Sequence, residues 1–357
     1  MPIFLSRSGR AGPSIEAVAT AVPPHVIRQA DAEAIARRVF DRDQSEIERL
    51  LPVFANAGIE QRHSCMPLDW YLEPHGWKER NDLYERHALA LIEEAALDCL
   101  ARAGRRPDEI DTIVCVSTTG VTTPSLDARL LDRIAFRRDV RRLPIFGLGC
   151  GGGVTGLARA GDLQRAAPES RVLLLVVELC ALTFRSADHS KSNIIATALF
   201  GDGAAAVLLG PATTGPHLGV SGEHTWPDSL PVMGWQIEDD GFGVLFSRDI
   251  PALVRRDFGA IADAFLARNG YTRADLAGYV CHPGGIKVLA ALEDAFGLQP
   301  GSLGIARDVL RDYGNLSAAT VLFVLERMLA AGAKPGRYLM TALGPGFTAT
   351  FQMLEIR

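Results

Sequence analysis

The chain has 357 residues, with 37 Lys+Arg against 42 Asp+Glu and a formal net charge of −5. Hydrophobic residues make up 48% and charged residues 22%, which excludes a disordered chain, and the mild acidic excess excludes broad nucleic-acid binding, which needs a basic face. The length admits two domains or one large two-lobed unit, and either can bury a sizeable core.

The N-terminal MPIFLSRSGRAGPS lacks a basic segment followed by a long apolar one, so no signal peptide is expected. The longest apolar runs, such as Val172 to Val177, fall far short of the roughly 18 residues of a membrane span. A cytoplasmic protein without integral membrane contact is expected. From Leu100, LARAGRRPDEIDTIVCV predicts helix, turn and strand. LPIF and a Gly-Leu-Gly turn lead into Cys150 and a helical GGGVTGLARAGDLQRA. RVLLLVV, opening at Arg171, is a strand, and GPATTGPHLG (Gly210 to Gly219) is a connection.

The pattern then repeats. LARNGYTRADLAGYVCH from Leu266 matches the segment at Leu100 with an ungapped offset of 166, pairing Arg102 with Arg268, Gly104 with Gly270 and Cys115 with Cys281. The same offset pairs Arg171 with Arg337, which opens RYLMTAL. Strands alternating with helices predict α/β units around a mostly parallel sheet. The repetition predicts two pseudo-twofold halves, 13–210 and 219–357. Gly149-Cys150 falls on Asn315-Leu316 at this offset, each just ahead of a long helical pattern. The two helix N-termini are therefore expected to meet at the centre.

The six cysteines form no C-x-x-C pair, so neither a zinc site nor a thioredoxin-type motif is expected. Cys150 differs from the other five in being followed by three glycines at a strand-to-helix elbow. A helix N-terminus stabilises a thiolate, and small neighbours let a substrate approach closely. The plainer alternative is a small hydrophobe at a tight turn. His282 ends the strand-like AGYVC ahead of Pro283-Gly284-Gly285, in reach of a shared pocket unless it is a satisfied structural histidine. Asn315 opens the matching helix, where asparagine also serves as a cap. Beside a histidine, its amide adds a second donor for a carbonyl or enolate oxygen.

Together the three suggest acyl transfer through a thioester. No carboxylate orienter is evident, as suits a reaction that makes a carbanion or enolate. Papain-like proteases share the order Cys, His, Asn and the 132-residue spacing from Cys150 to His282. Their C-G-[SA]-C-[WY] signature is missing, and the cysteine here is mid-chain. The glycines from Gly147 to Gly153 are centred on the cysteine, and no P-loop or G-x-G-x-x-G is found.

At these residues the chain resembles the type III polyketide synthases, the chalcone synthase-like family. FGLGCGGG around Cys150, ELCALTFR from Glu178, ALFGDGAAA from Ala198, CHPGG around His282, YGNLSAAT around Asn315 and ALGPG from Ala342 stand in the family's order. The resemblance implies a thiolase-like fold, five-layered αβαβα from two duplicated halves, usually homodimeric. It implies Cys150 as the nucleophile that takes a starter acyl group from CoA. His282 and Asn315 would hold the thioester oxygen of malonyl-CoA during decarboxylation and condensation, and His282 would help keep Cys150 as thiolate. Phe200 and Phe246 match gatekeeper phenylalanines. Thr118 and Thr183 match cavity-lining positions, Thr123 a residue that reaches across the dimer, and Arg62 a cationic contact to CoA phosphates.

No cofactor or metal is implied beyond the CoA thioester substrates, acyl-CoA and malonyl-CoA. Leu343 departs from a phenylalanine common in the family's loop, and Thr118 is not the extra cysteine of bacterial tetrahydroxynaphthalene synthases. PIFGLGCGGGVTGLARA, FSRDIPALV and VLRDYGNLSAATVLFVLERML are similar to bacterial members that make alkylpyrones or alkylresorcinols from fatty acyl-CoA. A ketoacyl synthase III acting on an acyl-carrier protein is the nearest alternative, with RLLDRIAFRRDVRR (Arg129 to Arg142) as its docking patch. A non-catalytic partner subunit is an alternative of another class.

Overall fold

The computed structural model describes residues 12–40, 48–211 and 214–357. The first eleven residues, most of the segment weighed above as a signal peptide, and Ala212-Thr213 of the Gly/Pro/Thr-rich connection lie outside the described residues. Thirteen strands are described: β1 Ser14–Ala21, β2 His25–Arg28, β3 Gln61–Ser64, β4 Thr112–Val116, β5 Arg141–Ile145, β6 Val172–Leu179, β7 Asp202–Gly210, β8 His217–Thr225, β9 Met233–Glu238, β10 Gly241–Phe246, β11 Leu276–Cys281, β12 Gly336–Gly344 and β13 Thr348–Ile356. Nine form one sheet in the order β11-β12-β13-β8-β1-β7-β6-β4-β5.

Moving inward from β11 and from β4, the sheet presents matching strands. Cys281 ends β11 and Cys115 lies in β4; Arg337 lies in β12 and Arg171 immediately precedes β6. Directions match as well. β11–β12 and β4–β6 are parallel, and the next two ladders on each side are antiparallel. The two series join at one register pair, Ser14 with His217.

The expected mostly parallel sheet is corrected here. Three of the eight described ladders of this sheet are parallel. The reason is local: β12 turns back into β13 through Pro345-Gly346-Phe347, and Gly344 pairs with Thr348. So tight a connection allows only antiparallel pairing.

Side-chain alternation builds the layers. Ile113, Cys115, Leu173 and Leu175 point into a core shared with the 27-residue helix α1 (Trp77–Ala103). Val114, Val116, Leu174 and Val176 point the other way, onto α2 (Gly152–Ala166) and α3 (Thr320–Ala330). Beyond the other sheet half, Phe265 of helix α4 (Gly259–Arg268) stacks on Phe351 of β13, with ring centroids 5.0 Å apart. Helices and sheets thus alternate in the five-layered thiolase-like arrangement. Among the described residues no helix is long and apolar enough to cross a membrane.

The two helix starts do meet at the centre. A Cβ on Gly153 would lie 2.2 Å from the carbonyl oxygen of Ala318, so only glycine lets the two backbones approach so closely. Gly153→Ala is expected to cost about 2–3 kcal/mol by overpacking. Thermal unfolding checks this, and an unchanged midpoint would show that the helices can move apart freely.

Candidate active site

Cys150 lies in a 3₁₀ turn, Gly149–Gly151, between β5 and α2. Gly149 has φ +45° and packs against Pro345, which aims the next residue inward. The Gly149 N–H donates to Thr118 Oγ1 at 3.2 Å. Cys150 is 9% exposed. Burial pushes its thiol up to about 11; hydrogen bonds with Ser317 and Asn315 pull it down, and the charge of Glu178 raises it.

His282 directly follows β11. Its backbone N–H donates to Thr341 of β12 at 2.9 Å. Both ring nitrogens are buried without a hydrogen-bond partner among the described residues. Burial lowers its pKa to about 3, so the resting imidazole is neutral.

Asn315 is fixed from several directions. Its backbone N–H donates to Leu199 at 2.8 Å, and its carbonyl accepts from Gly201 at 3.0 Å. Its Oδ1 accepts from the Ser317 N–H at 2.8 Å and from Thr320 Oγ1 at 3.4 Å. Its Nδ2 donates to the Gly284 carbonyl at 3.2 Å. With its acceptor engaged, the amide presents its remaining N–H to the pocket.

Cys150, His282 and Asn315 line one pocket of about 400 Å³, together with Phe246, Met233 and Leu343. A second pocket of about 560 Å³ contains Thr183, Phe200, Val244 and Cys180, with an apolar wall that includes Ile27 and Ile35. Chemically, the first pocket offers a thiol, a neutral base and an amide donor facing one apolar space. That set suits formation of a thioester and stabilisation of an enolate oxygen.

The other expected residues are placed variously. Thr183 and Phe200 line the second pocket, whereas Phe246 lines the first. Phe200 has Trp235 as its aromatic neighbour at 6.1 Å, an aromatic that sequence reasoning missed. Thr118 lies beneath the Cys150 turn rather than on either pocket wall, its hydroxyl engaged by Gly149. Thr123 is exposed.

Arg62 requires a correction. It is 3% exposed, on β3, and lines the second pocket. Burial lowers its pKa to about 10, with Tyr71 and Asp202 acting in the opposite direction. A guanidinium sealed in the interior does not fit a contact to CoA phosphates in solvent. Arginines of the Arg129–Arg142 stretch are largely paired: Arg129 with Glu85, Arg133 with Glu93, Arg137 with Asp111 and Arg142 with Asp127. This leaves little free charge for a carrier-protein docking patch.

A carboxylate does stand near the thiol. Glu178, fully buried at the end of β6, accepts from the Thr118 N–H at 3.0 Å. Burial pushes its pKa up to about 8, so it is largely protonated at neutral pH and adds little negative charge. The available signal was a single acid ending an apolar strand, VLLLVVEL. Ser317, with φ +49°, was also missed.

The family model described as chalcone and stilbene synthases, N-terminal domain, matches residues 5–213; the corresponding C-terminal domain matches 217–355. The chain is 41% identical to the 1,3,6,8-tetrahydroxynaphthalene synthase of Streptomyces peucetius subsp. caesius, over 96% of this chain and 93% of that one. It is 30% identical to the 3,5-dihydroxyphenylacetyl-CoA synthase of Streptomyces toyocaensis, over 98% and 93%. Among solved structures, the 1,3,6,8-tetrahydroxynaphthalene synthase of Streptomyces coelicolor A3(2) superposes with a TM-score of 0.92 at 29% identity, covering 96% of this chain and 99% of that one.

Proposed function

The chain belongs to the chalcone and stilbene synthase family and is a type III polyketide synthase, and from that premise we propose that it extends a fatty acyl-CoA starter with malonyl-CoA units and closes the chain to a pyrone or resorcinol. The supporting observation is the second pocket, a largely apolar space bounded by Phe200 and Cys180. An apolar pocket of this kind suits an alkyl chain better than a polar one.

In this reading Cys150 Sγ attacks the starter's carbonyl carbon while the neutral His282 imidazole takes the thiol proton. The C–S bond to CoA breaks, and the departing CoA sulfur takes the proton back. Malonyl-CoA then loses CO₂, and the resulting enolate oxygen accepts hydrogen bonds from His282 and from Asn315 Nδ2. The enolate carbon attacks the Cys150 thioester, freeing the sulfur and leaving a chain two carbons longer on CoA. That chain returns to Cys150 for the next round. The apolar walls exclude water that would protonate the enolate.

The same reading includes two halves, 13–210 and 219–357, supported by the matching strand order. It includes a homodimer, with Thr123 near the partner. β5 supports this: it is an exposed edge strand followed by Phe146, 57% exposed, and Val121, two residues before Thr123, is 43% exposed, the sort of edge that proteins ordinarily cover. A cytoplasmic setting is supported by six free cysteines. A second reading takes support from the Streptomyces peucetius relative: malonyl-CoA alone yields tetrahydroxynaphthalene.

Liquid chromatography–mass spectrometry of purified protein with malonyl-CoA, alone and with acyl-CoAs of graded length, tests both readings. Pyrones or resorcinols that retain the alkyl starter support the first. Tetrahydroxynaphthalene made equally with and without starter overturns it in favour of the second.

A further inference from the structure

The roof of both pockets is a hairpin separate from the nine-stranded sheet. β9 and β10 pair from Met233↔Phe246 to Glu238↔Gly241, with Asp239-Asp240 at the tip. Val244 faces the second pocket, while Met233 and Phe246 face Cys150. A two-stranded ribbon is marginally stable by itself, and its outer side lies in solvent, with Ile237 74% exposed.

Among the described residues, two hydrogen bonds from outside hold this ribbon. At its base Ser192 Oγ donates to the Phe246 carbonyl at 3.5 Å. At its tip Arg185 Nε donates to Asp240 Oδ1 at 2.7 Å. Arg185 Nη1 also donates to Asp188 Oδ2 at 3.2 Å. The arginine is 15% exposed, so solvent screens the pair only in part.

The segment that carries Arg185 is itself anchored. Asn193 Nδ2 donates to the carbonyls of Arg185 and Asp188 at 2.8 and 2.7 Å. Arg80 of α1 donates to the carbonyls of Leu182 at 2.9 Å and of Phe184. Asn193 and Phe184 both line the second pocket. Phe242 of β10 packs on Trp77 of α1 with ring centroids 4.9 Å apart, and Arg80 also faces Asp240. The fixed wall therefore holds the body of the roof by apolar packing and grips its tip through the Arg185–Asp240 pair.

We propose that the Arg185–Asp240 pair is a tether that holds the hairpin down over the growing chain, and that these are positioning residues which keep water off the Cys150 thioester. The proposal rests on the reading that the second pocket holds the acyl chain. With the tether cut, water reaches the thioester carbonyl. The water oxygen bonds to that carbon, the C–S bond breaks, Cys150 sulfur takes the proton, and a short free acid leaves.

The test compares wild type with Asp240→Ala, Asp240→Glu and Asp188→Ala. Hydrogen–deuterium exchange over residues 233–246 reads the tether, and the ratio of short free acids to completed products reads its consequence. Asp240→Ala is expected to speed exchange in the hairpin and raise that ratio roughly threefold or more, as suits a partly shielded pair. Asp240→Glu should restore both, and Asp188→Ala should leave Asp240 gripped. Raising the salt concentration should move wild type toward Asp240→Ala and leave that variant unchanged. Unchanged exchange in Asp240→Ala overturns the tether, whatever the products. Faster exchange with an unchanged ratio overturns its role in excluding water. If wild type extends no CoA starter, the functional reading fails and the water-excluding role falls with it, while the exchange data still decide whether the pair tethers the hairpin.

Discussion

Cys150→Ala is expected to abolish chain extension, by about a thousandfold or more, while malonyl-CoA decarboxylation survives. The two steps use different groups. Extension needs a sulfur to carry the acyl chain, and among the described residues Cys150 is the thiol that lines the pocket with His282 and Asn315. Decarboxylation needs donors for the developing enolate oxygen, and the alanine variant keeps both. His282→Ala should lose both steps. Mass spectrometry of products, with CO₂ release measured in parallel, separates the outcomes. Loss of decarboxylation together with extension in Cys150→Ala would mean that the thiol helps to hold malonyl-CoA.

Glu178→Gln is expected to flatten the dependence of stability on pH between about 5 and 8. The folded-state pKa of Glu178 is raised to about 8, with burial as the leading cause. An acid raised in this way binds its proton in the folded state where the unfolded chain has already lost it. The folded state is therefore unpenalised below about pH 4.5 and loses stability progressively until pH passes the folded value. The full penalty is about 5 kcal/mol. Glutamine cannot ionise and removes this slope, although its amide N–H₂ at the unpartnered Oε1 position offsets part of the gain. Asp202, raised to about 6 by its burial, retains its own slope at lower pH in both proteins. Urea unfolding at several pH values measures the difference. Equal slopes between pH 6.5 and 8 in the two proteins would show that Glu178 is not the titrating group. Ionisation above pH 8 also places a negative charge near Cys150, so the variant should keep more of its alkaline activity.

Much of this was legible in the chain itself. An ungapped repeat and three glycines after one cysteine led to the meeting of helix starts at Gly153 and Ala318, and to the pocket that gathers Cys150, His282 and Asn315. Other features left no such trace. Arg62 sits in the polar strand QRHS, which reads as a surface strand until β7 and the helix Gly304–Tyr313 cover it. Strand direction depends on connections rather than on periodicity, so the antiparallel β13 was invisible to a pattern that fitted parallel units. The hairpin of β9 and β10 carries apolar residues on both sides because one side roofs two pockets. Its alternation therefore does not say which residues face substrate.

The nucleophile and its two partners reach one pocket from opposite ends of a continuous sheet joined at a single register pair. Such a site belongs to no local unit of the chain. Contacts between residues this far apart in sequence carry a large loop-closure cost and form late in folding. During synthesis, Cys150 emerges well before the strand that delivers His282 and the helix start that delivers Asn315. A partly made chain thus has a thiol but no machinery to use it on a CoA thioester. Regain of catalysis during refolding should be a late and cooperative signal, trailing the recovery of helical circular dichroism.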